Sequence, residues 1–375
     1  MSSPDREEHT MQISIATGFS LRRSARIAAQ AGAAALFCAS TAHAADYEMV
    51  IGHLYPEDPM SNEIQPSLLH FETLVESATG GAIDVQIFAG GQLGSEVESG
   101  RQTQAGRTMQ GTVMSSGAMS SFISDYQIIT TPFLFNDYLT ARAYFDGEWH
   151  ANFMRGAIEE SGLRYLGTFD DGGGFVALTT NQRLVRTVED LDGLRIRVEE
   201  NPAHVAIMRA LGASATPLPW GEVHTALSTG LADGQFNAPG ISTAYNLYEV
   251  TDFTTLTGHV YNTTTFVVSE EWFQSLPDEY RDIIATAARE SIRIGHGIAA
   301  LQAINGWNES CRLFEACYVL PEAERTRMAE IARPAWREWV TGEFGVDPAL
   351  VDELWAEVAR ISAAERATSI DLYAD

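Results

Sequence analysis

Between Leu191 and Pro239 short apolar strands alternate with short helices, and this rhythm limits the fold more than any other feature of the chain. Leu194–Val198 reads as a strand. Asn201 and Pro202 then have the residue types of an N-cap and a first helical position. Gly212 sits where a left-handed residue ends a helix. Ala215–Leu218 is a second strand-like piece, and Pro219 leads into another helix that Gly230 closes. A turn at Ala232-Asp233-Gly234 then delivers Gln235, Phe236 and Asn237. Such alternation predicts a mostly parallel α/β layer. Ligands of such sheets bind beyond the carboxyl ends of the strands, where Arg197 and Asn237 fall.

Charge and residue usage exclude several functions. The formal net charge is −26, which argues against a phosphate-backbone partner. All the basic residues are Arg, and the chain has no Lys. A P-loop lysine and a Schiff-base lysine are therefore both excluded. At 375 residues the chain suits about two domains.

The N-terminal stretch reads as a targeting segment. Arg22, Arg23 and Arg26 precede the short apolar run Ile27–Phe37, and Ala42-His43-Ala44 has the small-x-small form of a cleavage site. Export with cleavage after Ala44 is expected, and the Arg pair leaves both general and twin-arginine routes open. No later apolar run is long enough to span a bilayer as a helix. Cys311 and Cys317 remain in the mature chain. In an oxidising compartment they either form a short bridge or stay as two buried thiols.

The rest of the chain reads as further strands and helices. Tyr47–His53 and Ile83–Phe88 are strands, separated by a helix over Ser61–Ser77. The Gly90–Glu96 loop precedes a polar helix and has the pattern of a tight strand–helix turn more than an anion cradle. Gly111–Met119 is predicted to lie near a cleft. Thr131–Phe135 forms a pocket wall or core. Tyr138–Ser161 is predicted helical. Asp170-Asp171-Gly172-Gly173-Gly174 is predicted to turn between strands Leu163–Thr168 and Phe175–Thr179, as a hinge or a plain loop. Strands Thr254–Gly258 and Thr263–Val268 follow, and then helical patterns at Glu270–Trp272, from Asp278 through Leu301 onward, at Pro321–Thr341 and at Pro348–Ala367.

Little in the sequence suggests catalysis. There is no Gly-x-Ser-x-Gly, His-Glu-x-x-His or Cys-x-x-Cys. No metal or cofactor is expected; the scattered His53, His224 and His259 read as structural or surface residues, with a place near a cleft as the alternative. Arg197 stands out. Leu194, Ile196 and Val198 alternate to one face of the strand, which leaves Arg195 and Arg197 on the other. A guanidinium fork grips a carboxylate in two-point fashion, although from the residues alone a surface ion pair with one of the many acids is the stronger reading.

Several motifs together resemble the solute-binding proteins of tripartite ATP-independent periplasmic (TRAP) transporters. They are Gly91-Gln92-Leu93-Gly94, Pro132–Phe135, Asp190–Val198, Leu211-Gly212-Ala213, Glu222-Val223, Ala226-Leu227 and Asp233-Gly234-Gln235 with Asn237. The resemblance implies two α/β domains joined by crossing strands, a hinge and a long helix, closing around a ligand that is handed to ion-gradient-driven membrane subunits. It implies that Arg197 binds the ligand carboxylate and that Asn237 contacts the ligand.

Two departures make the implied pocket less polar. Phe175-Val176 stands where many members carry a second Arg, and Phe236 stands where many have Glu. Trp220 and Phe236 would suit an aromatic box around a cationic group. Ectoine binders of this family, however, place an acid near Leu54-Tyr55, where this chain has none. The candidate ligand set is Arg197, Asn237, Trp220, Phe236, Tyr55 and Phe175. The expected domains are residues 45–173 with 263–302, and 174–262 with part of 303–375. The leading reading is a periplasmic receptor for a small carboxylate. A receptor for an ectoine-type osmolyte, a sensor subunit of the same fold and a secreted enzyme acting on an acidic substrate are the alternatives.

Overall fold

A computed structural model describes residues 45–372. The predicted targeting segment and its cleavage site lie outside the described residues. Within the described chain one mixed sheet carries the fold. It comprises β1 (Tyr47–Gly52), β2 (Ile83–Phe88), β3 (Gly111–Ser115), β4 (Leu163–Thr180), β5 (Arg195–Val198), β6 (Ser214–Pro217), β7 (Gly234–Asn237), β8 (Phe253–Ser269) and β9 (Ala316–Val319). The order is β2-β1-β3-β8-β4-β7-β5-β6, with β9 beside β8. The expected parallel pairing holds at both ends of this order, in β1 with β2 and β3 and in β5 with β6 and β7. The central pairs β3–β8, β8–β4 and β4–β7 are antiparallel, so the sheet is mixed rather than mostly parallel.

β4 and β8 hold the two halves of the sheet together. They run for 18 and 17 residues, well beyond the ordinary strand maximum of about 10. This corrects two expectations. Asp170–Gly174 is a bulge inside β4, not a turn between strands: Asp170 pairs with Thr263 and Phe175 with Tyr261. Three β4 residues are therefore extra, and Gly172, Gly173 and Gly174 absorb them at φ 56°, 100° and 80°. The two strands expected around Gly258 are likewise one strand, with a reciprocal bulge between Leu256 and Tyr261 where Gly258 has φ 57°. Local Gly-rich composition reads the same for a turn and a bulge; only the partner strand distinguishes them.

Helices cover the sheet. Two matter most for the site: α1 (Ile64–Thr79) and α2 (Glu96–Ala105), the latter started by a Ser95/Glu98 capping box. The helix expected over Tyr138–Ser161 is broken into Tyr138–Phe145, Glu148–Gly156 and Ile158–Ser161. Asp137 caps the first piece and Gly147 precedes the second. Later come α3 (Pro202–Ala210), capped by Asn201 with Pro202 at its first position as the sequence suggested, and the 36-residue α4 (Asp278–Leu313).

The core is two large apolar clusters and a small third one. The first includes Met49, Ile51, Leu68, Phe71, Phe266 and Ile284 around the β2-β1-β3 half. The second includes Tyr126, Phe135, Tyr144, Ile196, Val198, Phe236 and Trp336. Phe133 and Phe135 belong to the second cluster, so that segment is core. Cys311 and Cys317 form a disulfide, which ties the end of α4 to β9.

Candidate ligand-binding cleft

The carboxyl ends of β1, β2, β3, β5 and β6 converge on a cavity of about 670 Å³. Leu54 and Pro56 follow β1. The Gly90–Ser95 loop and the start of α2 follow β2, Ser115 ends β3, Arg197 is near the end of β5 with Glu199 just past it, and Pro219–His224 follows β6. A small recess of about 40 Å³ shares Arg197, Glu199, Glu96, Trp220 and Tyr245 with it, and adds Tyr55, Asp171, Asn237 and Ile241.

Arg197 lies in this cavity, only 2 % exposed. Its Nε and Nη2 donate to the Leu218 carbonyl oxygen at 3.0 and 2.7 Å. The carbon of its guanidinium stands 5.7 Å from the centroid of the Trp220 ring. None of the ion pairs among the described residues includes Arg197. Burial pulls its pKa down to about 10, against the pull of Glu199, Glu96 and Glu200. A buried cation with no contacting anion is costly, and a ligand carboxylate relieves that cost. Arg195, two residues earlier, has the opposite fate. It is an outer residue paired with Asp233, its Nε 2.9 Å from Oδ2.

The other expected residues divide into two groups. Trp220 lines the cavity, its ring edge-on to Tyr245 at 4.8 Å. Tyr55 lines the recess and donates its hydroxyl to Asp171 Oδ1 at 2.6 Å. Asn237 also lines the recess, with Nδ2 donating to Gln235 Oε1 at 2.9 Å and Oδ1 accepting from Asn262 at 3.4 Å. Phe236 and Phe175 are not at the cavity, which corrects their expected role. Alternation along β7 turns Phe236 to the face opposite Asn237, where it packs on His204 and His259. Phe175 follows the β4 bulge and packs between Tyr138 and Tyr261, ring centroids 4.9 and 4.8 Å away.

Five acids that line the cavity or its recess were absent from the sequence-derived set: Glu96, Glu199, Glu200, Glu222 and Asp171. Glu96 accepts from the Ser115 amide at 2.7 Å and its hydroxyl at 2.8 Å, and burial still pushes its pKa up to about 7. Burial pushes Glu199 up to about 8. Asp171 and Glu63 are a buried pair whose desolvation raises both; Glu63 also accepts from the Gly172 amide at 3.0 Å. The alternation that singled out Arg197 would have found Glu199, two residues on and on the same face. Glu96 and Asp171 carry no comparable local signal. Of the three histidines, only His224 lines the cavity. His53 bonds to Gln65 at 2.7 Å, and His259 is held against Phe236. Among the described residues no group of three or more His, Cys, Asp or Glu is placed to hold a metal ion.

Comparison with known proteins decides the family. The family model for bacterial extracellular solute-binding proteins, family 7, matches residues 57–342. The chain belongs to this family. The ectoine/5-hydroxyectoine-binding periplasmic protein UehA of Ruegeria pomeroyi is 30% identical over 286 residues, 74% of this chain and 81% of that protein. The C4-dicarboxylate-binding periplasmic protein DctP of Rhodobacter capsulatus is 28% identical over 302 residues, 78% of this chain and 84% of the relative. A TRAP periplasmic solute-binding protein from Ochrobactrum anthropi, solved with its C-terminus bound in the ligand pocket, superposes with a TM-score of 0.76. It is 31% identical, over 88% of this chain and 99% of that one. This family 7 chain is thus a TRAP solute-binding protein and not an enzyme. Among its described residues no helix is long and apolar enough to cross a membrane.

Proposed function

We propose that this protein captures a small carboxylate in the cleft at Arg197 and delivers it to TRAP membrane subunits. The observation that carries the reading is the buried Arg197 guanidinium. It is fixed by the Leu218 carbonyl and opens onto a cavity large enough for a small organic acid. One ion pair does not account for tight capture, because desolvation offsets much of its attraction. Micromolar binding needs about 8 kcal/mol; closure over Trp220, Tyr245 and Leu54 contributes apolar burial to it. In this reading Asn237 and Tyr55 face the ligand from the recess. The two lobes are residues 45–173 with 263–302 and residues 174–262 with part of 303–375. They move about the bulges at Gly172–Gly174 and Gly258, and the mature chain begins after Ala44.

The test is calorimetry with a panel of small organic acids on the mature protein and on Arg197→Ala. Carboxylate binding by the parent, lost in the variant, is the expected result. Equal affinity in both would overturn the anchor role of Arg197.

A further inference from the structure

Tyr245 reaches across the cleft. It follows the short helix Pro239–Ala244 and lines both the cavity and its recess. Its hydroxyl donates to the Leu54 carbonyl oxygen at 3.1 Å, a bond between residues 191 positions apart. Leu54 lies in the loop after β1, so in the receptor reading the two residues belong to opposite lobes. Burial pushes the Tyr245 phenol up, and Asp171, Glu96 and Glu63 push the same way, so it remains a donor through the physiological range. Trp220 lies between this bond and the anchor, with its ring 4.8 Å from that of Tyr245 and 5.7 Å from the Arg197 guanidinium carbon.

Each end of the bond is held by its own surroundings. The carbonyls on either side of Leu54 are engaged already: His53 accepts from the Gly91 amide at 3.0 Å and Tyr55 from the Gly90 amide at 2.8 Å. These bonds tie the β1 loop to the loop after β2 and leave the Leu54 carbonyl to Tyr245. The Pro239–Ala244 helix is seated on α4, where a Cβ on Gly306 would come within 2.5 Å of the Gly240 nitrogen. Packing follows the same line. Among the described residues, Trp220 and Tyr245 are the two that pack against both the cluster of the β2-β1-β3 half and the small cluster of Val223, Leu227 and Leu247.

A bond of this kind acts on the closed form alone. When the cleft opens, water serves both the phenol and the carbonyl, so loss of the hydroxyl costs the open form little. In the closed form the same loss leaves a partly buried carbonyl without its donor. The hydroxyl thus biases opening against closing, which changes how long a solute stays more than how fast it arrives.

Building on the receptor reading above, we infer that Tyr245 is a positioning residue that latches the cleft shut through the Leu54 carbonyl, setting how long a bound solute is held without selecting which solute it is.

The experiment is stopped-flow fluorescence on the mature protein with succinate, D-gluconate, pyruvate and ectoine as probes. The proteins are the parent, Tyr245→Phe and Arg197→Ala, each checked by thermal melting without ligand. Tyr245→Phe removes one oxygen and keeps the ring. It is expected to melt within about 2 °C of the parent. It should release every probe that the parent binds about five- to tenfold faster, with association within about twofold. The factor should be the same for each probe, because the broken bond lies within the protein; a hydroxyl that touched the solute would give factors that follow the solute's chemistry. Unchanged release, a loss carried by association, or factors that differ by more than about threefold between probes would overturn the latch. In those cases loss of binding in Arg197→Ala would still uphold the receptor reading. Failure of the parent to bind any probe, or binding undiminished in Arg197→Ala, would remove that reading and this inference with it.

Discussion

Arg197 and Trp220 meet at the mouth of the cleft, the guanidinium carbon 5.7 Å from the centroid of the indole ring. The Leu218 carbonyl takes both Nε and Nη2. The backbone just before Trp220 thereby fixes which edge of the fork faces the cavity. The cation is held in place before any ligand arrives, and that preorganisation reduces the ordering cost of binding.

Replacing Arg197 with Ala is expected to weaken carboxylate binding roughly 30- to 5000-fold, the cost of about 2–5 kcal/mol for removing one partner of a buried charge pair. The ligand-free protein should melt within about 2 °C of the parent, because the lost group is a buried cation with no contacting anion. Calorimetry and thermal melting of the same samples measure both. A large fall in melting temperature would assign Arg197 to the fold rather than to the ligand.

Neighbours on β7 should behave in opposite ways. Phe236→Leu removes packing against His204 and His259 and should cost about 1 kcal/mol of stability, while affinity stays within about twofold. Asn237→Ala should lower affinity about tenfold, the worth of about one good hydrogen bond. Melting curves and titrations of the two variants, side by side, separate these roles.

Stability of the ligand-free protein should peak slightly below neutral pH. Burial raises Glu199 to about 8 and Glu96 to about 7, and raises Glu63 and Asp171 as well. The folded state keeps these protons after the unfolded chain has lost them, so stability falls as pH climbs toward 8. Burial lowers His53 to about 4 and His150, His204 and His259 to about 3, from 6.5. The unfolded chain therefore gains protons that the fold refuses below pH 6.5, and this contribution is lost as pH falls from there. The histidine contribution fades by about pH 7.5, and from there to about pH 8.5 the carboxyls raised to about 8 act alone, so the melting temperature should decline. Glu199→Gln should flatten that decline, and an unchanged slope in the variant would rule out Glu199 as one of its sources.

Gly173 and Gly212 both have positive φ, 100° and 91°, yet their substitutions should differ. A Cβ on Gly173 would meet the Ala303 Cβ and Cα of α4 at 2.7 and 2.8 Å, whereas one on Gly212 meets nothing within 4 Å. Gly212→Ala should cost about 1 kcal/mol, the strain of the left-handed region alone. Gly173→Ala should cost more than about 3 kcal/mol, because rigid backbone must also move. Chemical denaturation of the two variants gives the comparison.

The Cys311–Cys317 disulfide closes a loop with a sequence separation of 6. So short a loop should contribute about 2 kcal/mol through the unfolded chain, which is a shift of a few degrees in a chain this long. Reduction should also speed amide exchange in β9, which the bridge ties to the end of α4. Exchange in β9 that is indifferent to reductant would show that the pairing with β8 suffices.

Local pattern was enough for the elements and for part of the site. Alternation at Leu194, Ile196 and Val198 marks a strand with its charged face turned away, and Asn201-Pro202 marks the start of α3, because capping and side-chain periodicity are properties of neighbouring residues. The same alternation gives Arg197 and could have given Glu199. Tertiary structure decided the rest. Whether Gly172–Gly174 turns the chain or bulges it depends on β8, some ninety residues away. Whether Phe236 and Phe175 reach the ligand depends on which face their strands bury. Asp171 and Glu96 join the cleft only because the fold brings the β4 bulge and the start of α2 to the same cavity. Arg195 and Arg197 are equivalent in the sequence; Asp233 neutralises one, and the fold around Leu218 and Trp220 buries the other beside a cavity.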